Sequence, residues 1–209
     1  MKMGLLPQGM WMIFHGNFDR CLPMLGAENT KTAMRDAKRR YRDIIKSIQP
    51  FGENDALEMN IISAAMLAAV YLSLPEKPAV SQVERYYFAA MDNAVMHLFL
   101  KRRNQYTAKY QEALAKSAAR SQRSDNLYSW RFTFTPGPTL DSFDTVFDHC
   151  GICYLFQQLG IADVIPAMCA YDYTMAEQKG TIFTRKFTLA SGGPYCDCHY
   201  QKGEKKPQR

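Results

Sequence analysis

The spacing of apolar residues changes once along this chain, and that change limits what it can fold into. Up to about residue 122 they recur three and four apart, the helical period. From Tyr128 the pattern alternates, with Tyr128, Trp130, Phe132 and Phe134 separated by Ser129, Arg131 and Thr133 and followed by Thr135. Strict alternation marks a half-buried strand. Helices first, then strands with helices between them, define an α+β class. The 209 residues are therefore expected to form a single α+β domain. A helical N-terminal half packs on a small antiparallel sheet with two further helices. The expected divisions are an irregular segment 1–27, a helical part 28–125, a strand and helix part 126–201, and a basic tail 202–209.

Punctuation residues set the expected elements. Pro7, Gly16, Pro23 and Gly26 read as breaks in an irregular start. Asn29 or Thr30 caps a first helix that carries Met34, Tyr41, Ile44, Ile45 and Ile48 and stops before Pro50. Asn54 or Asp55 caps a second helix, Ala56 to Leu74, apolar nearly all round. Ser81 and Glu84 have capping-box spacing and open a third helix running to Arg103. A fourth, more polar helix covers Tyr106 to Gln122. After the turn Pro136-Gly137-Pro138, a fifth helix runs from Thr145 or His149 to Leu159 and a sixth from Ala162 to Gln178. Two strands close the chain, Ile182 to Leu189 and Cys196 to Tyr200.

Charge excludes some functions. The net charge is +6, but the basic residues are dispersed over Lys38 to Arg42, Lys101 to Arg103 and the tail. No aromatic-interleaved basic stripe or helix-turn-helix pattern supports nucleic-acid binding. A cationic surface does favour small anionic substrates. The most apolar run, Met59 to Leu74, is too short to span a membrane and reads as a buried helix. The N-terminus has no export-signal pattern, so the expected compartment is the reducing cytoplasm, where cysteines serve as thiols, ligands or nucleophiles rather than bridges. A homo-oligomer is left open.

Reactive side chains concentrate between Phe147 and Tyr200, which holds five of the six cysteines and two of the four histidines. His149, Cys150 and Cys153 would share one flank of a helix. Cys169 and Asp172 are three apart on the next helix. In the last strand Cys196, Cys198 and Tyr200 share one face, opposite Asp197 and His199. Cys153, Cys169, Asp172 and Cys196 are thus expected to converge. Three uses fit. A thiolate zinc site would draw on Cys150, Cys153, Cys169, Cys196 and Cys198, although no cofactor is firmly implied. A thiolate beside His or Asp is a nucleophile. Buried cysteines are also ordinary small hydrophobes. Cys150 and Cys153 form a CxxC pair, but no thioredoxin-like βαβ pattern surrounds it.

Cys153, then C-x-x-D at Cys169 and Asp172, then F-x-R-x-x-T-L-A-x-G-G-x-x-C-D from Phe183 to Asp197, resemble the L-2-amino-thiazoline-4-carboxylic acid hydrolase family. Cys150 and Cys198 depart from that pattern. The resemblance implies hydrolysis of a cyclic isothiourea bearing a carboxylate to an N-carbamoyl amino acid. Cys153 or Cys169 is then the nucleophile, with Cys196 in the catalytic group. Asp172 shuttles protons or anchors the amidine-like nitrogens. Arg185 takes the substrate carboxylate, Thr188 contributes a hydroxyl, and Gly192 and Gly193 let backbone N–H groups approach.

Overall fold

The computed structural model describes residues 1–52, 55, 57–101 and 104–203. Among these residues eight α-helices and a four-stranded antiparallel sheet form an α+β fold. Asn54, Ala56, Arg102, Arg103 and most of the basic tail lie outside the described residues.

The first segment is not irregular: α1 spans Leu5–Cys21. Pro7 falls in its first turn, where a missing N–H costs nothing. Met10, Trp11, Phe14 and Phe18 are buried along one stripe, and this packing overrides Gly9 and Gly16. The Tyr41 hydroxyl donates to Pro7 O at 2.9 Å, tying α1 to α2 (Thr30–Ser47). As expected, Asn29 Oδ1 accepts from Thr32 N at 3.0 Å and caps α2.

The central helix α3 (Glu58–Ser73) buries ten apolar and small side chains between Ile61 and Tyr71, as its all-round apolar pattern requires. Asp55 Oδ1 accepts from Leu57 N at 3.0 Å just before it. The expected third helix is two. α4 (Val80–Met91) begins at Ala79, whose N–H donates to Gln82 Oε1 at 3.0 Å, so Ser81 and Glu84 are not its cap. α5 (Ala94–Lys101) restarts because Asn93 Oδ1 accepts from Val95 N and Met96 N. A side chain that caps so well competes with helix continuation. α6 (Ala108–Ser121) ends against the sheet, where Ser121 Oγ accepts from Phe132 N at 3.1 Å.

The sheet runs β1-β2-β4-β3, built from β1 (Arg131–Pro136), β2 (Ser142–His149), β3 (Thr181–Thr184) and β4 (Cys196–Lys202). β2 replaces the first part of the expected fifth helix. Phe143, Thr145 and Phe147 already alternate with Asp144, Val146 and Asp148, and each faces a partner on β4: Tyr200, Cys198 and Cys196. The remaining helices are α7 (Gly151–Gln158) and α8 (Ile165–Gln178). β3 stops at Thr184 instead of reaching Leu189, because the chain turns away at Arg185 into the β3–β4 loop.

Candidate active site

The junction between β2 and α7 places the first two thiols. Cys150 is the N-cap of α7 and Cys153 lies one turn in. Gly151 between them has no freedom to be anything larger. A Cβ there would stand 1.9 Å from Tyr128 O and 2.9 Å from Ser129 O. The backbone before β1 therefore lies directly on the start of α7, and it brings buried Trp130 to the Cys150 sulfur. The Cys153 thiol, the backbone N–H groups of Ile152 and Cys153 and the Trp130 indole are the donors near enough to Cys150 to act on its ionisation. These donors favour the thiolate and hold the Cys150 thiol below its ordinary value against the effect of burial. Cys153 moves the other way: donating to Cys150 and being buried both raise it.

α8 and β4 supply the rest. Burial pushes Cys169 and Cys198 up to about 12, and burial also raises Cys196, whose sulfur accepts from Leu189 N at 3.3 Å. The Cys169 and Cys196 thiols each feel the charges of both Cys150 and Asp172. Cys150, Cys153 and Cys169 pack against the main core, while Cys196 packs with Cys198 and Phe183 in a smaller cluster.

Asp172 and Arg185 form the charged part. Arg185 Nη1 donates to Asp172 Oδ2 at 2.8 Å and Nη2 donates to Cys169 O at 2.6 Å. The guanidinium lies 5.2 Å from the Tyr173 ring centroid and 5.5 Å from that of Phe183. Its side chain is 6% exposed against 42% for Asp172. Arg185 is thus already committed. It orients Asp172 and ties the start of the β3–β4 loop to α8, rather than reaching toward a ligand. Burial raises the Asp172 carboxyl, with Arg185 opposing.

Thr188, Gly192 and Gly193 shape the β3–β4 loop. Thr188 Oγ1 accepts from Ser191 N at 3.1 Å, and Gly192 takes the left-handed conformation at φ 79°, which glycine alone adopts without strain. The N–H groups of Gly192 and Gly193 donate to Leu189 O and Thr188 O, so neither is directed at a ligand. Asp197 Oδ1 accepts from Lys186 N at 3.0 Å and Phe187 N at 2.6 Å. Those bonds, that from Phe187 N most of all, hold the half-buried Asp197 carboxyl below the usual range.

The two histidines of this region stand apart. His149 Nε2 pairs with Leu127 O at 2.9 Å, and His199 pairs with Asp144 on the outer face of the sheet. Among the described residues no three Cys, His, Asp or Glu side chains are grouped as a metal would need. The sequence reading missed Trp130 and Gly151 as site residues; a glycine directly after the first cysteine of the CxxC was the available signal. It also missed a cleft that opens beside Asp172, lined by Gln105, Met175, Lys179, Phe183 and Tyr200.

A family model described as L-2-amino-thiazoline-4-carboxylic acid hydrolase matches residues 56–200. That span holds every residue of the thiol cluster, Asp172 and Arg185. No curated protein and no solved structure gives a match. Among the described residues no helix is long and apolar enough to cross a membrane.

Proposed function

Because this chain belongs to the L-2-amino-thiazoline-4-carboxylic acid hydrolase family, we propose that it opens a small cyclic isothiourea carrying a carboxylate, giving an N-carbamoyl amino acid. What supports this reading is the position of Cys150 at the N-cap of α7, where nearby donors lower its thiol, while Cys150 and burial together raise that of Cys153 and burial raises those of Cys169 and Cys196. Cys150 replaces Cys153 or Cys169 as the nucleophile, since both of those are held as neutral thiols.

Cys150 adds through sulfur to the carbon between the ring nitrogen and sulfur. The ring C–S bond breaks, and the leaving sulfur takes a proton from Cys153. Water then adds to the same carbon, one of its protons passing through Asp172 back to Cys153 and the other staying on the product nitrogen, and expulsion of the Cys150 thiolate leaves the carbamoyl product. One water is consumed in all. Asp172, fixed by Arg185, pairs with the amidine-like nitrogens and moves the water proton. Cys169 and Cys196 wall the space between Cys150 and Asp172. Lys179, which lines the cleft beside Asp172, meets the substrate carboxylate. The Thr188 to Gly193 turn keeps the loop over Cys196 in place.

The test is ring opening of 2-amino-thiazoline-4-carboxylate, followed by release of the new thiol under reducing conditions. Cys150→Ser should remove turnover, and Asp172→Asn should lower kcat by about 10²–10⁴-fold. Lys179→Met should act mainly on KM. Full turnover by both Cys150→Ser and Asp172→Asn would end this reading.

A further inference from the structure

The CxxC pair has a context that its sequence did not reveal. β2 (Ser142–His149) leads without a linker into Cys150, and α7 begins at Gly151. Strand, cysteine at the N-cap and second cysteine one turn into the helix is an arrangement that suits thiol–disulfide exchange. From it we propose a second activity for this protein: Cys150 and Cys153 form a redox-active dithiol that reduces small organic disulfides and closes into an intramolecular disulfide.

Three features carry this. Cys150 at the N-cap and Cys153 in the first turn are near enough to act on each other's ionisation, while all six cysteines are unbridged. Residues three apart in a helical turn have Cβ atoms about 5–6 Å apart, so a disulfide needs only a small inward shift of the first turn. Both residues are half-buried rather than sealed. The roles also divide as exchange requires. The N-cap thiol has the donors that stabilise an attacking thiolate, and the inner thiol stays protonated until it is needed.

The reaction balances without a cofactor. The Cys150 thiolate attacks one sulfur of a disulfide RSSR, breaking its S–S bond and releasing RS⁻, which takes up a proton as RSH. Cys150 is left in a mixed disulfide with the second R–S group. The Cys153 thiol loses its proton and attacks the Cys150 sulfur, expelling the second thiol. RSSR gains two electrons and becomes two RSH, and the protein dithiol becomes Cys150–Cys153 disulfide. Cys169, Cys196 and Cys198 are each pushed upward by burial, so they compete poorly for the disulfide. No ring substrate takes part, so the outcome is independent of the hydrolase reading.

Reduced full-length protein treated with oxidised glutathione, then alkylated and mapped by mass spectrometry, tests the proposal. The wild type should lose two hydrogens, retain no glutathione and yield one peptide pair linked through Cys150 and Cys153. Cys153→Ser should instead retain glutathione on Cys150, and Cys150→Ser should consume glutathione disulfide about tenfold or more slowly. The wild-type map decides the matter even if either variant fails to fold. Glutathione retained on the wild type, or a linkage through any other cysteine, would overturn it.

Discussion

Replacing Gly151 with alanine is the sharpest single perturbation of this structure. The added Cβ would meet Tyr128 O at 1.9 Å, the Tyr128 carbonyl carbon at 2.4 Å and Ser129 O at 2.9 Å. All three are backbone atoms, so no rotamer change relieves the clash. The Tyr128 carbonyl must recede by about 1.5 Å to reach ordinary contact near 3.4 Å. Overpacking against backbone costs about 3 kcal/mol. Alanine recovers at most about 1 kcal/mol through helix propensity and a stiffer unfolded chain. The clash wins, with a net loss of about 2 kcal/mol, or about 4–8 °C in the thermal midpoint for a chain of this length. The same shift carries Trp130 off the Cys150 sulfur, removing one of the donors that hold its thiol down. Calorimetry reads the first effect, and the pH profile of Cys150 alkylation reads the second. Gly9→Ala and Gly16→Ala in α1 are the controls. Nothing lies within 4 Å of an added Cβ at either position, so each should gain about 0.5–1 kcal/mol. A Gly151→Ala protein with unchanged midpoint and unchanged alkylation profile would refute the packing argument and the role given to Trp130.

Other substitutions probe the site separately. Cys153→Ala removes the first of the donors to Cys150, so the alkylation midpoint of Cys150 should rise toward the ordinary thiol value of about 8.5; an unmoved midpoint would deny that contact. In the wild type, hydrolysis should persist below that value and decline as pH falls further, because protonation of Cys150 removes the nucleophile. Arg185→Met strands Asp172 and should destabilise by about 2–3 kcal/mol, less than for a fully buried pair because the Asp172 side chain is 42% exposed. Arg185→Lys keeps the charge but not the second contact to Cys169 O, and denaturant midpoints should rank it between the other two. Asp197→Ala should speed hydrogen exchange at the Lys186 and Phe187 amides. Since the folded carboxyl is depressed, the anchoring in wild type is complete above the unfolded value of about 3.9 and is lost as pH falls through the lower folded value. Protein oxidised by glutathione disulfide should lose ring-opening activity and regain it with a dithiol reductant, because Cys150 serves both reactions.

Local chemistry made much of this protein readable from sequence. The cap at Asn29, the all-apolar α3 and the alternating Phe132 and Phe134 each follow from interactions within a few residues. So does the sharing of one β4 face by Cys196, Cys198 and Tyr200, because strand period fixes it. Tertiary packing decided the rest. α1 exists because Met10, Trp11, Phe14 and Phe18 are buried, although Pro7 and two glycines argue locally against a helix. β2 exists because β1 and β4 accept it on both sides, and it moves the start of the following helix to Gly151. That shift turns Cys150 from one helical side chain among several into the N-cap thiol. Its character comes from groups within three residues, the Cys153 thiol and the amides of Ile152 and Cys153, and from Trp130, which no spacing rule places beside it. Arg185 likewise reads as a ligand-binding cation in the sequence and becomes the partner of Asp172 only when β3 meets α8. Short-range preferences are encoded residue by residue. The state of a thiol or a guanidinium depends on charges and donors brought from distant parts of the chain.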